Sequence, residues 1–83
     1  MRHLFYVSQL YSLSILRPLQ MAARERGDDC AWFFDPPLNG SAYLDDDEQH
    51  LETVVDVIRW TPDAVYVPGN VVPDFFPGVK VQV

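Results

Sequence analysis

The sequence is short of the features that mark most specialised classes of protein. It has one cysteine, Cys30, so no internal disulfide can form and a disulfide-stapled extracellular fold is excluded. No apolar run approaches the ~20 residues that cross a bilayer, and the apolar stretch after Met1, Arg2 and His3 is too short for a secretory signal. Basic residues are few, six against twelve acidic ones, for a net charge of −6. That balance repels phosphate backbones and anionic lipid headgroups, so neither nucleic acid nor direct membrane contact is expected of this segment. There is no G-x-G-x-x-G, and His3, His50 and Cys30 never approach metal-ligand spacing. No cofactor and no metal are expected, and a cytoplasmic setting fits best.

What is present is ordinary globular material. The 83 residues leave room for one domain spanning 1–83. A chain of that size buries only a little over ~60% of its unfolded surface, so its stability is expected to be modest. With 48% hydrophobic and 22% charged residues, disorder is excluded as the main state.

The chain is organised around its last stretch, T-P-D-A-V-Y-V-P-G-N-V-V-P-D-F-F-P-G-V-K-V-Q-V, residues 61–83. Residues 64–67 and 79–83 are short, β-branched and bounded by Pro or Gly, the pattern of strands. The connection between them, 68–78, is too long for a tight hairpin and close to the minimum of roughly ten to twelve residues for a parallel crossover. A parallel pair of strands follows. Gly69 and Asn70 tolerate unusual backbone angles directly after a strand, where open α/β sheets place their ligands.

Upstream, residues 3–7 read as a central strand covered on both faces, because they are apolar without alternation. A hydroxyl-rich loop over 8–14 precedes Ile15, Leu16, Leu19, Ala22 and Ala23 at helical spacing, with Ser14 as N-cap and Gly27 as C-terminal cap. Pro18 inside that pattern implies a late start or a slight kink. Residues 30–34, C-A-W-F-F, read as a second buried strand stopped by Asp35, Pro36 and Pro37. The acidic run Asp45, Asp46, Asp47 and Glu48 precedes Leu51, Val54, Val55 and Ile58 at helical spacing. An Asp45 cap with Glu48 three residues later accounts for the acids without a metal.

The element order predicts an α/β fold: a three-layer half of a doubly wound, Rossmann-like parallel sheet of about four strands in the order 2-1-3-4. In that order the loops after the first and third strands lie side by side where the winding reverses. The candidate crevice is lined by Ser8, Gln9, Tyr11, Ser12, Gly69 and Asn70. Each has a plain structural role as well, since serines before a helix cap it and Gly-Asn makes a turn. Asp35 stands where a dinucleotide fold holds its ribose-binding acid, yet without the glycines it reads as a turn residue. Trp32, Phe33, Phe5 and Tyr66 read as core, whereas Phe75 and Phe76 either plug the sheet or cover an interface.

The wording of residues 62–83, P-D-A-V-Y-V-P-G-N-V-V-P-D-F-F-P-G-V-K-V-Q-V, resembles the N-terminal region of the CDP-glycerol glycerophosphotransferase family. Y-S-L-S-I-L-R-P-L-Q at residues 11–20 resembles the same family's first helix, and the likeness spans most of the chain. The resemblance implies a teichoic-acid-type enzyme related to two-domain, B-type glycosyltransferases, peripheral at the inner face of the membrane. Such enzymes move glycerol phosphate from CDP-glycerol onto a polymer or a lipid-linked acceptor. Family members continue into a Phe-His-Gly segment and a second domain that carries the nucleotide site and the catalytic histidines. The 83 residues are therefore expected to be the acceptor-side part, non-catalytic alone, with the acceptor and the donor-binding domain as partners. The alternatives are a stand-alone nucleotide- or phosphate-binding or interaction module and, from topology alone, a phosphoacceptor receiver. The receiver needs acids after the first and third strands, where Ser8, Gln9, Pro68 and Gly69 stand instead. The last strand alternates apolar and polar residues and presents a free edge, so a homodimer through it is also expected.

Overall fold

The computed structural model describes residues 1–69 and 73–83. Its elements run β1 (Arg2–Val7), α1 (Ser12–Glu25), β2 (Asp29–Phe34), β3 (Gln49–His50), α2 (Val54–Trp60), β4 (Ala64–Val67) and β5 (Val79–Gln82), with a short 3-10 turn at Gly40–Ala42 before β3. The sheet is parallel throughout, in the order β3-β2-β1-β4-β5. The four strands foreseen from the sequence stand in the order expected, and β3 adds a fifth, two-residue strand outside β2.

Both faces of the sheet are covered over β1, β2 and β4, which is why these strands show no alternation of polarity. Leu4, Tyr6, Ala31, Phe33, Val65 and Val67 face Val57 of α2 together with Leu51 and Phe76. The intervening residues Phe5, Val7, Cys30, Trp32 and Phe34 face Leu13, Leu16 and Ala23 of α1. Successive side chains of one strand therefore serve opposite cores, as the two-residue period of a strand requires. Phe76 is 1% exposed and Phe75 is 64% exposed, so only the first of that pair belongs to the core.

Helix α1 begins earlier than its expected cap. Tyr11 stands at the N-cap without a side-chain bond, and the Ser14 hydroxyl donates back to the Tyr11 carbonyl at 2.9 Å. Pro18 lies inside the helix, where its missing N–H forgoes one rung of the ladder. The other end closes as expected. Gly27, at a φ of 80°, donates to the Arg24 carbonyl, and Asp28 N–H donates to the Ala23 carbonyl, which is the Schellman arrangement.

The second helix departs from its expected start. Asp45 and Glu48 do not cap it; they close a turn ahead of β3, in which the Asp45 N–H donates to the Glu48 carboxylate at 2.9 Å. Helix α2 is capped by Thr53, whose hydroxyl accepts from Asp56 N–H at 3.1 Å while the Asp56 carboxylate accepts from Thr53 N–H at 3.3 Å. That reciprocal pair is a capping box that begins at Thr53 and not at Asp45, well further along the chain. Its C-cap, Thr61, holds a left-handed φ of 57°, uncommon for a β-branched residue, with its hydroxyl donating to the Ile58 and Arg59 carbonyls.

Candidate functional site

Strands β1 and β4 are parallel neighbours, with Phe5 alongside Tyr66. The loops that follow them leave the same end of the sheet, at the point where the winding reverses. Gln9 and Tyr11 are exposed there, Tyr11 by 61%, and Ser8 and Gly69 are half-buried. Gly69 has a φ of 131°, and its carbonyl accepts from the Gln82 amide at 2.8 Å, which ties the loop to β5. Asn70 lies outside the described residues. Asp35 reaches the same end, its N–H donating to the Val7 carbonyl at 2.9 Å and its carbonyl accepting from Leu38, as a turn residue would.

Ser12 is placed differently from its neighbours. It is fully buried at the start of α1, and its hydroxyl has no hydrogen-bond partner. It is sealed from any substrate in this conformation. The first amides of α1 are also engaged, since Ser12 N–H donates to Gln9 at 3.0 Å and Leu13 N–H to Leu10 at 3.2 Å. A helix start that closes on its own turn has fewer free donors for a phosphate, so this loop caps more than it cradles.

Behind the crevice, Tyr6 is buried against Phe33 and Phe76. Burial, and then the negative charge of Asp35 beside it, push its hydroxyl up to about 12. Tyr6 is therefore a proton-bearing donor across the neutral range, with no capacity as a base.

The charged groups of the chain gather elsewhere. At the opposite end of the sheet the buried His3 has Nδ1 2.9 Å from the Tyr66 hydroxyl and Nε2 2.8 Å from Asp28, which also binds Arg26 at 3.1 Å. Between α1 and the 45–48 turn, the buried Trp32 indole donates to Gln20 at 2.6 Å, and Gln20 donates to the buried Glu48 at 2.6 Å. Arg17 completes the relay by donating to both Glu48 oxygens, at 2.8 and 3.3 Å. Burial alone pushes the Glu48 carboxyl up, but Arg17, the Asp45 N–H and Gln20 outweigh it and hold the group below the usual carboxylate range. A cavity of about 430 Å³ lies beside this relay, with Arg24 and Asp47 at its rim. Within its lining Arg17 pairs with Glu48 and Arg24 with Asp47.

His50 is in β3, with its ring edge-on to Phe34, and not in a helix as the acidic run suggested. Neither the His3 nor the Glu48 cluster was visible in the sequence, because the contacts that join their separate elements span 12 to 63 positions. Among the described residues no helix is long and apolar enough to cross a membrane, and no three His, Cys, Asp or Glu side chains gather as a metal site. Comparison with family models, with curated proteins and with solved structures gave no match.

Proposed function

We propose that this chain is the acceptor-side, N-terminal part of a CDP-glycerol glycerophosphotransferase, and that alone it does not transfer glycerol phosphate. The partner it needs for catalysis is a second domain that binds the donor, and the complete enzyme works at the inner face of the membrane. Support comes from the likeness of residues 11–20 and 62–83 to that family. In the fold one observation carries the reading: the Ser8–Tyr11 and Pro68–Gly69 loops share one end of a doubly wound sheet, and neither loop carries a Lys, Arg or His.

Transfer requires a base for the acceptor hydroxyl and cationic or N–H groups for the departing nucleotide. His3 is at the other end of the sheet with both ring nitrogens engaged. Arg17, Arg24 and Arg26 are paired with Glu48, Asp47 and Asp28, and the Lys80 amine rests on the Phe76 and Gly78 carbonyls. Arg2 and Arg59 stand at the start of β1 and the end of α2, away from the crevice. Tyr11 and Gly69 then shape the acceptor side, with Asn70 assigned to it by its place in the sequence. The phosphate-binding alternative is weaker because the first amides of α1 are already bonded.

The test follows the backbone amide resonances of the chain during titration with a glycerol phosphate oligomer and, separately, with CDP-glycerol. The expected result is displacement at Ser8, Gln9, Tyr11 and Gly69 by the oligomer only. Turnover of labelled CDP-glycerol above a no-protein control, or displacement by the nucleotide alone, would overturn the reading.

A further inference from the structure

The fold takes four acids partly or wholly out of water: Asp28, Asp35, Glu48 and Asp56. Three of them are engaged. Asp28 is bonded to His3 and Arg26, Glu48 to Arg17 and Gln20, and Asp56 to the Thr53 N–H. Asp35 is the exception, because among the described residues its carboxylate has neither a cation nor an N–H upon it, only the Tyr6 hydroxyl beside it. The local sequence accounts for this. An Asp at the head of a turn ordinarily accepts from the N–H two residues on, and here the next two residues are Pro36 and Pro37, which have none. The backbone is nevertheless fixed, with the Asp35 N–H on the Val7 carbonyl at 2.9 Å and the Leu38 N–H on the Asp35 carbonyl at 3.1 Å. A half-buried carboxylate with free lone pairs is thus held at the switch end of the sheet.

Tyr6 supplies the second group. It stands beside Phe33 on the α2 face of the sheet, and Asp35 lies two residues beyond Phe33, so strand alternation turns both side chains to that face. The Tyr6 ring is buried against Phe33 and Phe76, and its hydroxyl keeps its proton across the neutral range. An anion is repelled by Asp35, and an ammonium, which has donors only, brings no acceptor for the phenol. A hydroxyl suits both groups, since it donates to the carboxylate and accepts from the phenol.

We propose that Asp35 and Tyr6 hold a free hydroxyl at the polyol end of the acceptor, Asp35 accepting its hydrogen bond and Tyr6 donating to its oxygen. This rests on the acceptor-side reading of the crevice and adds which group the crevice takes. In a glycerol phosphate chain the phosphates carry the negative charge, so the hydroxyl end is the part that approaches Asp35 without repulsion. Half-buried Ser8, directly after Val7, lies on the path from this pair to Gln9 and Tyr11.

The experiment measures the affinity of a glycerol phosphate oligomer from displaced amide resonances, for the wild-type chain, Asp35→Asn, Tyr6→Phe and Asp46→Asn. The wild-type titration is repeated with the same oligomer methylated at its terminal hydroxyls. The expected result is that Asp35→Asn and methylation each weaken binding about ten-fold, and Tyr6→Phe about three-fold. Asp46 is exposed in the 45–48 turn, so Asp46→Asn is expected to leave the affinity unchanged or slightly raised. Asparagine at 35 removes a negative charge and by charge alone would tighten the hold on a phosphate-bearing chain, so weakening there identifies the hydroxyl bond. Binding at the Ser8, Gln9, Tyr11 and Gly69 amides that is indifferent to Asp35→Asn or to methylation overturns the assignment and leaves the acceptor-side reading standing. An oligomer that binds nowhere on the chain overturns both. Should Asp35→Asn or Tyr6→Phe lose the amide dispersion of a folded chain, the methylated oligomer on the wild type decides. Weaker binding than the free oligomer, with the Asp35 amide displaced by the free oligomer only, supports the assignment, and equal binding overturns it.

Discussion

The Nε2 of His3 stands 2.8 Å from a carboxylate oxygen of Asp28, joining the start of β1 to the turn that leaves α1. His3 is 2% exposed, so this contact and the one to Tyr66 satisfy both nitrogens of a ring that would otherwise be buried unpaired.

Stability in acid should follow Asp28. The hydrogen bond to His3, and then the one to Arg26, lower its carboxyl from the ordinary 3.8 to about 2. A depressed folded-state value means that the contribution is present above about 3.8 and is lost as pH falls through about 2. Asp28→Asn is expected to lower the melting temperature at pH 7, with the gap to wild type narrowing between those two values. A pH series of thermal unfolding curves checks this, and a constant gap across the range would refute it.

Two of the four carboxylates of the 45–48 turn should differ sharply. Glu48 is buried with Arg17, Gln20 and the Asp45 N–H upon it, whereas the Asp47 side chain is 74% exposed. Glu48→Ala is expected to cost about 2 kcal/mol because it strands buried donors, and Asp47→Ala under about 0.5 kcal/mol. Urea denaturation of the two variants measures both.

Phenylalanines 75 and 76 offer a matched pair. Phe76 packs edge-on against Tyr6 and Phe33 in the core, while Phe75 lies largely in solvent. Phe76→Ala is expected to cost about 3–5 kcal/mol, and Phe75→Ala about 0.5 kcal/mol or less. Comparable denaturation midpoints for the two variants would contradict this packing.

Capping gives a third contrast. Thr53→Ala is expected to destabilise the protein by about 1 kcal/mol through loss of the bond to Asp56 N–H. Asp45→Ala should leave the amide exchange of α2 unchanged, since that residue does not touch the helix start.

The sheet was legible in the sequence because buried parallel strands write unbroken apolar runs, as in L-F-Y-V and A-W-F-F, and Pro or Gly stands near the ends of β2, β4 and β5. The start of α2 was misread for a definite reason. Asp45 and Glu48 carry the same spacing as a helix cap, and the genuine signal, Thr53 with Asp56, follows inside the apolar pattern where it is easily passed over. Glu48 was free to serve as a buried acceptor only because Arg17 and Gln20 come down from α1, a contact across about thirty positions that no local pattern encodes. The candidate crevice was half legible. Tyr11 and Gly69 emerge where the topology put them, but Ser12 is sealed because the helix begins one turn before its apolar spacing shows.

The bond from the Trp32 indole to Gln20 gives the molecule an optical reporter. Trp32 is wholly enclosed, and its ring is linked through one amide to the carboxylate that anchors the acidic turn, while Trp60 is half-buried beside Arg2. Displacing Glu48 from Gln20 would alter the polarity around the Trp32 indole while the Trp60 environment stayed as it is. In a Trp60→Phe background, the remaining fluorescence emission would thus report, from the middle of the sheet, whether a turn on its outer flank is seated.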